Sequence, residues 1–194
     1  MLLETLKIQN GRICNLDLHN ERMYRSRKEL LGVSRYDDIS LLQEVQKIPV
    51  SETVIKARII YAERIIRVEW NYYERRIVRS LMPVEDNEIE YDYKFEDRSW
   101  LNRLFERRGE CDDIIIVKNG LVTDSSYSNL AFSDGRRWVT PAGPLLPGIK
   151  RDQLIKEGKL VEGKLKVTDL KRFKSCCLIN ALNDIGEIEV KKFL

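Results

Sequence analysis

The sequence predicts a mixed α and β protein built as two lobes. Short β-rich runs are separated by two-residue turn signals at Asn10-Gly11, Asn119-Gly120 and Asp134-Gly135. Helix-like segments stop on glycines, at Gly32 and Gly158. A charged stretch, Glu85 to Glu90, interrupts the pattern near mid-chain and divides residues 1–88 from residues 89–194. Hydrophobic residues make up 43% of the 194, enough for a packed core rather than a disordered chain.

The elements follow in order. Leu2 to Ile8 is β-rich, and Asn10-Gly11 folds it back as a hairpin reaching Ile13. Asn15-Leu16-Asp17 opens a helix that runs to about Leu31. A second short helix is expected from Ser40 to Lys47, before Pro49. Val54 to Tyr61 and Ile65 to Tyr73 form a hairpin around Glu63-Arg64. Ile77 to Val84 contains Pro83 and suits a sheet edge. Ile89 to Lys94 alternates apolar and polar residues, so it is expected as a half-buried strand. Leu101, Leu104 and Phe105 have helical spacing within Trp100 to Arg108. Ile114 to Val117 is a strand ending at Asn119-Gly120. The polar turn Asp124-Ser125-Ser126 leads into Leu130-Ala131-Phe132, and Asp134-Gly135 starts another hairpin. Leu145 to Arg151 opens a helix that continues to Gly158. Val167 to Leu170 is a turn, and Cys176 to Ile179 a buried strand.

Composition excludes several function classes. With 34 basic against 31 acidic residues, the net charge of +3 does not point to nucleic acid, although a local basic patch for a small anion stays open. The four cysteines form no CxxC pair, which suits reduced thiols in a cytoplasmic protein. One histidine excludes a histidine-rich metal site, and no metal is expected. No basic-then-apolar leader and no run long enough to span a bilayer is present, so a soluble, cytoplasmic chain without a membrane partner is expected.

Several residues could carry chemistry. Lys94 shares a face with Glu90 and Asp92, which by itself describes a solvated charged ladder. Asp124 by itself describes turn chemistry. Gly148, Ile149 and Lys150 stand at a helix start, where N–H groups and the dipole favour an anion. His19 and Arg22, three apart, share a helix face. Lys56 and Arg58 alternate on one strand face, either as a solvated face or as a cationic wall for a substrate carboxylate that Tyr61, Arg98 and Tyr127 could join.

The run IIIVKNGLVTDSSYSNLAFSDGRRWVTPAGPLLPGIKR, from Ile114 to Arg151, resembles the core of the fold-type IV pyridoxal-phosphate enzymes, the class IV aminotransferase family. That group holds the branched-chain and D-amino-acid aminotransferases and aminodeoxychorismate lyase. LDLHNERM, YDYKFEDRSWLNRL and INALN, from the flanking regions, extend the resemblance in the same order. It implies a small N-terminal α+β lobe, a larger barrel-like lobe, a pyridoxal 5'-phosphate cofactor between them and a homodimer. It implies that Lys94 is the Schiff-base lysine, which needs a neutral amine although free lysine titrates at about 10.4. Asp124 stands where many members carry Glu to pair with the pyridine nitrogen, and Asn129 holds that turn. Arg22, Gly148, Ile149, Lys150, Asn180 and Ala181 match the phosphate side; Lys150 replaces a frequent hydroxyl residue. Two chemistries remain open for an anionic amino substrate. A 4-amino-4-deoxychorismate lyase, which carries folate biosynthesis with it, is preferred for the short-chain resemblance and the Lys56/Arg58 pair. The alternative is an aminotransferase of branched-chain or D-amino acids. A non-catalytic homologue is a third reading, against which the intact Lys94 speaks.

Overall fold

The computed structural model describes residues 1–33, 40, 41, 43, 48 and 50–193. The helix expected over Ser40 to Lys47 lies largely outside the described residues. Two compact units emerge: Met1–Glu74 with Tyr93–Asp97, and Arg75–Asp92 with Arg98–Leu194. The single division after residue 88 is not the one the chain makes. The segment 93–97 belongs with the N-terminal strands, because Leu3 N–H donates to the Lys94 carbonyl (2.8 Å) and Glu96 N–H to that of Met1 (3.0 Å).

In the first unit, β1 (Leu2–Gln9) and β2 (Arg12–Ile13) form the hairpin. Asn10 and Gly11 both have positive φ, 51° and 72°, as a two-residue primed turn demands. Helix α1 (Leu16–Leu31) follows, then β3 (Ile55–Tyr61) and β4 (Ile65–Tyr72). The sheet order is β2-β1-β3-β4, antiparallel throughout. Helix α1 ends at Gly32 in the left-handed region, φ 68°, with the Gly32 and Val33 N–H groups donating to Lys28 and Arg27 carbonyls. Leu2, Leu6, Ile8, Met23, Ile55, Ala57, Ile59 and Tyr61 form the core. The buried face of α1 is mostly polar, with His19, Arg22, Ser26 and Arg27 beside Met23.

In the second unit, β5 (Leu81–Glu85), β6 (Asp113–Lys118) and β7 (Leu121–Val122) make one sheet in the order β5-β6-β7. Pro83 is tolerated because β5 is an edge. Asn119 and Gly120 (φ 52° and 73°) turn β6 into β7. Helix α2 (Ser99–Phe105) continues as a 3-10 turn, Glu106–Arg108. A five-stranded sheet holds β8 (Asn129–Ser133), β9 (Trp138–Pro141), β10 (Leu160–Gly163), β11 (Ser175–Ile179) and β12 (Glu189–Val190). Its order is β10-β9-β8-β11-β12. The sequence reading missed β10 and β12. Helix α3 (Ile149–Lys156) precedes β10, and a 3-10 turn (Val167–Arg172) precedes β11. Every residue of β8 is buried, and Phe132 packs between Phe173 and Phe193, at centroid distances of 5.4 and 5.8 Å. Cys176 and Cys177 are reduced core residues.

Residues Ile89 to Lys94 are not a strand: no ladder forms there, and the first bridge is Phe95 to Leu2. Burial does alternate, with Ile89 and Tyr91 inside and Glu90 and Asp92 outside. The pattern reports which side faces the core, not a paired neighbour.

Candidate active site

The chemistry-bearing turn of the second unit is built from its own side chains. Ser125 N–H donates to the Ser128 carbonyl (2.8 Å), and Ser125 Oγ accepts from Ser128 N–H (3.0 Å), closing the turn between Asp124 and Asn129. Asn129 Nδ2 donates to Asp124 Oδ1 (2.7 Å) and to the Leu146 carbonyl (2.9 Å). Asp124 Oδ2 accepts from Leu146 N–H (3.0 Å). The carboxylate thus pins the loop that delivers Gly148 to the start of α3. Burial raises the Asp124 carboxyl against the opposing Leu146 and Asn129 hydrogen bonds, and it settles at about 6.

Gly148 is glycine for a steric reason. A Cβ there would sit 2.0 Å from Asn129 Oδ1. Gly148→Ala should therefore destabilise the fold by about 1–3 kcal/mol, as overpacking does. A thermal melt checks this; an unchanged midpoint would mean that Asn129 turns aside freely. Past Gly148, the N–H groups of Ile149 and Lys150 have no acceptor within the helix and form an anion-binding start.

The third segment closes on the same turn. Asn180 Nδ2 donates to Ser128 Oγ (2.9 Å), and its Oδ1 accepts from Leu182 N–H (2.9 Å) and Asn183 N–H (3.1 Å). Asn180 therefore builds the loop, in which Ala181 is half-buried. Lys150 Nζ donates to Asp184 Oδ2 (2.8 Å), so the Lys150 side chain ties α3 to this loop. Asp124, Asn129, Gly148 to Lys150 and Asn180 to Ala181 are brought together by these bonds.

In the first unit, Glu4 points inward from β1 and is fully buried. Its Oε1 accepts from Arg22 Nε (2.8 Å), and its Oε2 from Arg22 Nη2 (2.6 Å) and His19 Nδ1 (2.6 Å). Burial alone would raise Glu4, but the Arg22 charge and the His19 and Arg22 hydrogen bonds hold it down to about 2. Lys94 is half-buried in the segment that bridges to β1.

The candidate substrate residues separate. Arg58 is paired with Glu69 (2.6 Å), which also takes Arg67 (2.7 Å); Lys56 is half-buried beside it on β3. Tyr61 does not join that wall. It lies on the opposite, core-facing side with Ile55, Ala57 and Ile59, fully buried, because strand alternation sends odd positions inward. Arg98 and Tyr127 do come together in the second unit: the Arg98 guanidinium stacks 4.1 Å from the Tyr127 ring centroid.

Comparison with known proteins agrees with this geometry. The family described as amino-transferase class IV matches residues 97–190. A Haemophilus influenzae protein of uncharacterized function is 41% identical over 185 residues, 95% of this chain and 98% of its own. A crystal structure from Haemophilus somnus 129PT, of a protein provisionally named 4-amino-4-deoxychorismate lyase, superposes with a TM-score of 0.88. It is 31% identical and covers 95% of this chain and 97% of its own. The chain belongs to the class IV aminotransferase family. A Mycobacterium tuberculosis structure of a hypothetical aminotransferase in its pyridoxal-phosphate-bound form shares the fold, with a TM-score of 0.77 at 17% identity. That match covers 99% of this chain and 80% of its own.

Class IV aminotransferases with this fold are pyridoxal-phosphate enzymes, and the residues present fit that cofactor. Asp124 is a carboxylate lifted by burial, which a pyridinium N–H would answer with both a charge and a donor; a carboxylate has about four lone-pair sites, so the bonds from Leu146 and Asn129 leave room for it. Ser126 Oγ, in the same turn, is buried without a hydrogen-bond partner. The start of α3 offers backbone donors to a phosphate. Sequence reasoning missed Glu4, Ser126 and Asp184. For Glu4 the signal was present: a carboxylate at an inward position between Leu2 and Leu6 demands a partner.

Proposed function

We propose that this class IV enzyme is a 4-amino-4-deoxychorismate lyase, releasing 4-aminobenzoate and pyruvate. The observation that carries the reading is the likeness, at 31% identity over nearly the whole of both chains, to the Haemophilus somnus protein provisionally named for that activity. When bound, pyridoxal phosphate supplies an electron-withdrawing ring for the carbon that bears the substrate's amino group. The Lys94 amine carries the proton removed from that carbon. The ether bond to the enolpyruvyl group breaks, the ring becomes aromatic, and the enolpyruvyl fragment takes a proton at its methylene carbon to leave as pyruvate. Neither water nor a keto acid is consumed. With the cofactor bound, Asp124 would hold a proton at the pyridine nitrogen, and the Ile149 and Lys150 N–H groups would hold the phosphate. Arg22, matched to the phosphate side by the resemblance, has one guanidinium edge engaged by the buried Glu4.

The test offers aminodeoxychorismate to the holoenzyme without a keto acid. Formation of 4-aminobenzoate supports the lyase. Turnover that needs a keto acceptor replaces it with the aminotransferase that the family's name suggests.

Asp124→Asn should lower turnover by about 10²–10³-fold, the scale of losing one preorganised electrostatic partner. It should also change stability without cofactor. The folded Asp124 value, about 6, lies above the ordinary 3.8, so its stabilising share is complete below pH 3.8 and lost as pH rises through about 6. Urea midpoints of the apoprotein from pH 4 to 8 should show that slope in the wild type and not in Asp124→Asn. An identical slope in both would place the titration elsewhere.

A further inference from the structure

We propose that Arg76, Tyr127 and Arg98 form a clasp for the carboxylate of a planar cyclic substrate. This rests on the lyase reading and names the side chains that would recognise the ring acid. Tyr127 stands three residues beyond Asp124 and is 51% exposed. The Arg98 guanidinium lies 4.1 Å from its ring centroid and that of Arg76 lies 5.2 Å away. Stacking uses the flat faces of a guanidinium and leaves its in-plane N–H donors to hydrogen-bond, so that Arg76 can offer the fork that matches a carboxylate.

The surroundings hold this arrangement in place without neutralising it. Arg98 Nη2 donates to the Ser126 carbonyl (2.5 Å), which fixes the side chain against the catalytic turn, while Arg98 Nε and Ser126 Oγ are buried with no partner. Arg76 also reaches the Phe105 ring, 5.9 Å from its centroid, and Arg108 lies 4.1 Å from that same centroid. Arg108 is answered by Glu106 (3.3 Å) and by the Phe105 carbonyl (3.2 Å). Arg76 has no such bond. Its nearby acid is Asp113, whose Oδ2 lies 4.0 Å from Nη1 and accepts no hydrogen bond. Asp113 Oδ1 is engaged by Ile114 N–H (2.8 Å) and Ser126 N–H (3.3 Å).

Two guanidinium groups therefore share one ring, against a single buried carboxylate. Like charges gathered on one ring repel, and an anion received beside them relieves the repulsion. A purely structural stack would bury the tyrosine; here Tyr127 and Arg76 both stay about half exposed, and the Asp113 carboxylate beside Arg76 lies 4.0 Å away.

The test uses holoenzyme and two probes of the same ring, 4-aminobenzoate and aniline, which differ by the carboxylate. Titration calorimetry should show that Arg76→Gln weakens 4-aminobenzoate about tenfold and leaves aniline unchanged. Arg98→Gln should act the same way. With aminodeoxychorismate, Arg76→Gln should raise KM about tenfold with kcat little changed. A thermal melt of Arg76→Gln matching the wild type guards against misfolding, and Arg76→Lys should recover part of the binding. Equal 4-aminobenzoate affinity in wild type and Arg76→Gln overturns the clasp even if the lyase is active. Carboxylate-dependent binding that is lost in Arg76→Gln, in a protein that makes no 4-aminobenzoate, retains the clasp and overturns the lyase reading.

Discussion

Lys94→Ala should reduce turnover by about 10³-fold or more, since general acid–base catalysis alone is worth about 10²–10⁴ and the family resemblance makes the same amine the group that would attach the cofactor. The backbone that carries this side chain is held by bonds of its own. Leu3 N–H holds the Lys94 carbonyl, Tyr93 Oη donates to Glu29 Oε2 (2.8 Å), and Glu96 N–H reaches the Met1 carbonyl, so neighbouring bonds pin the backbone on both sides. The melting midpoint should therefore move little. Lys94→Arg separates the possible roles. Arginine keeps the positive charge but stays protonated, with a pKa above about 12, so it cannot act as an amine nucleophile or accept a proton. If Lys94 acts through its lone pair, both variants are inactive. If Arg restores more than about a tenth of the activity, Lys94 serves as a charge only, and the proposed proton transfer fails. Borohydride reduction and peptide mapping give a second readout, with the cofactor label expected on the Lys94 peptide in the wild type and on no peptide in either variant.

Features that obey local rules were legible in the sequence. Asn10-Gly11 and Asn119-Gly120 adopt paired positive φ values because few other residue pairs do so at low cost, and Gly32 ends α1 for the same reason. The order of the motifs around Asp124 and Gly148 survived because each is a turn or a helix start set by its own residues. Long-range bonding did not show. Nothing in DSSYSN says that Asp124 Oδ2 will bind Leu146, which is 22 residues away, or that Lys150 will turn to Asp184 rather than toward a phosphate. The alternation of Ile89 to Lys94 was read as a strand because burial and pairing share a period of two; the chain there crosses to the first unit and meets β1 at a single bridge. Tyr61 is set by parity rather than by its hydroxyl: positions 55, 57, 59 and 61 share the core face.

Glu4→Ala should destabilise the protein by about 3–5 kcal/mol, the usual cost of removing one partner from a buried ion pair, because it leaves the Arg22 guanidinium without its two-point acceptor. The helix makes this severe. On its inward face α1 carries His19, Arg22, Ser26 and Arg27 beside Met23, with Leu16 partly buried against the same core, so its attachment to the sheet leans on Glu4. Arg27 Nη2 adds one bond, to the Glu63 carbonyl (2.6 Å). The pH dependence has a fixed sign. Glu4 is lowered from 4.5 to about 2, so its contribution is complete above pH 4.5 and is lost as pH falls toward 2. That contribution is on the order of 3 kcal/mol. This window lies mostly below the one set by Asp124, so the two groups are separable in a single series of urea titrations: Asp124→Asn flattens the upper window and Glu4→Gln the lower. Glu4→Gln keeps the shape and one acceptor, so it should cost less than Glu4→Ala at pH 7 while losing the same acid dependence. A loss below about 1 kcal/mol for Glu4→Ala would mean that α1 is held by something other than this pair.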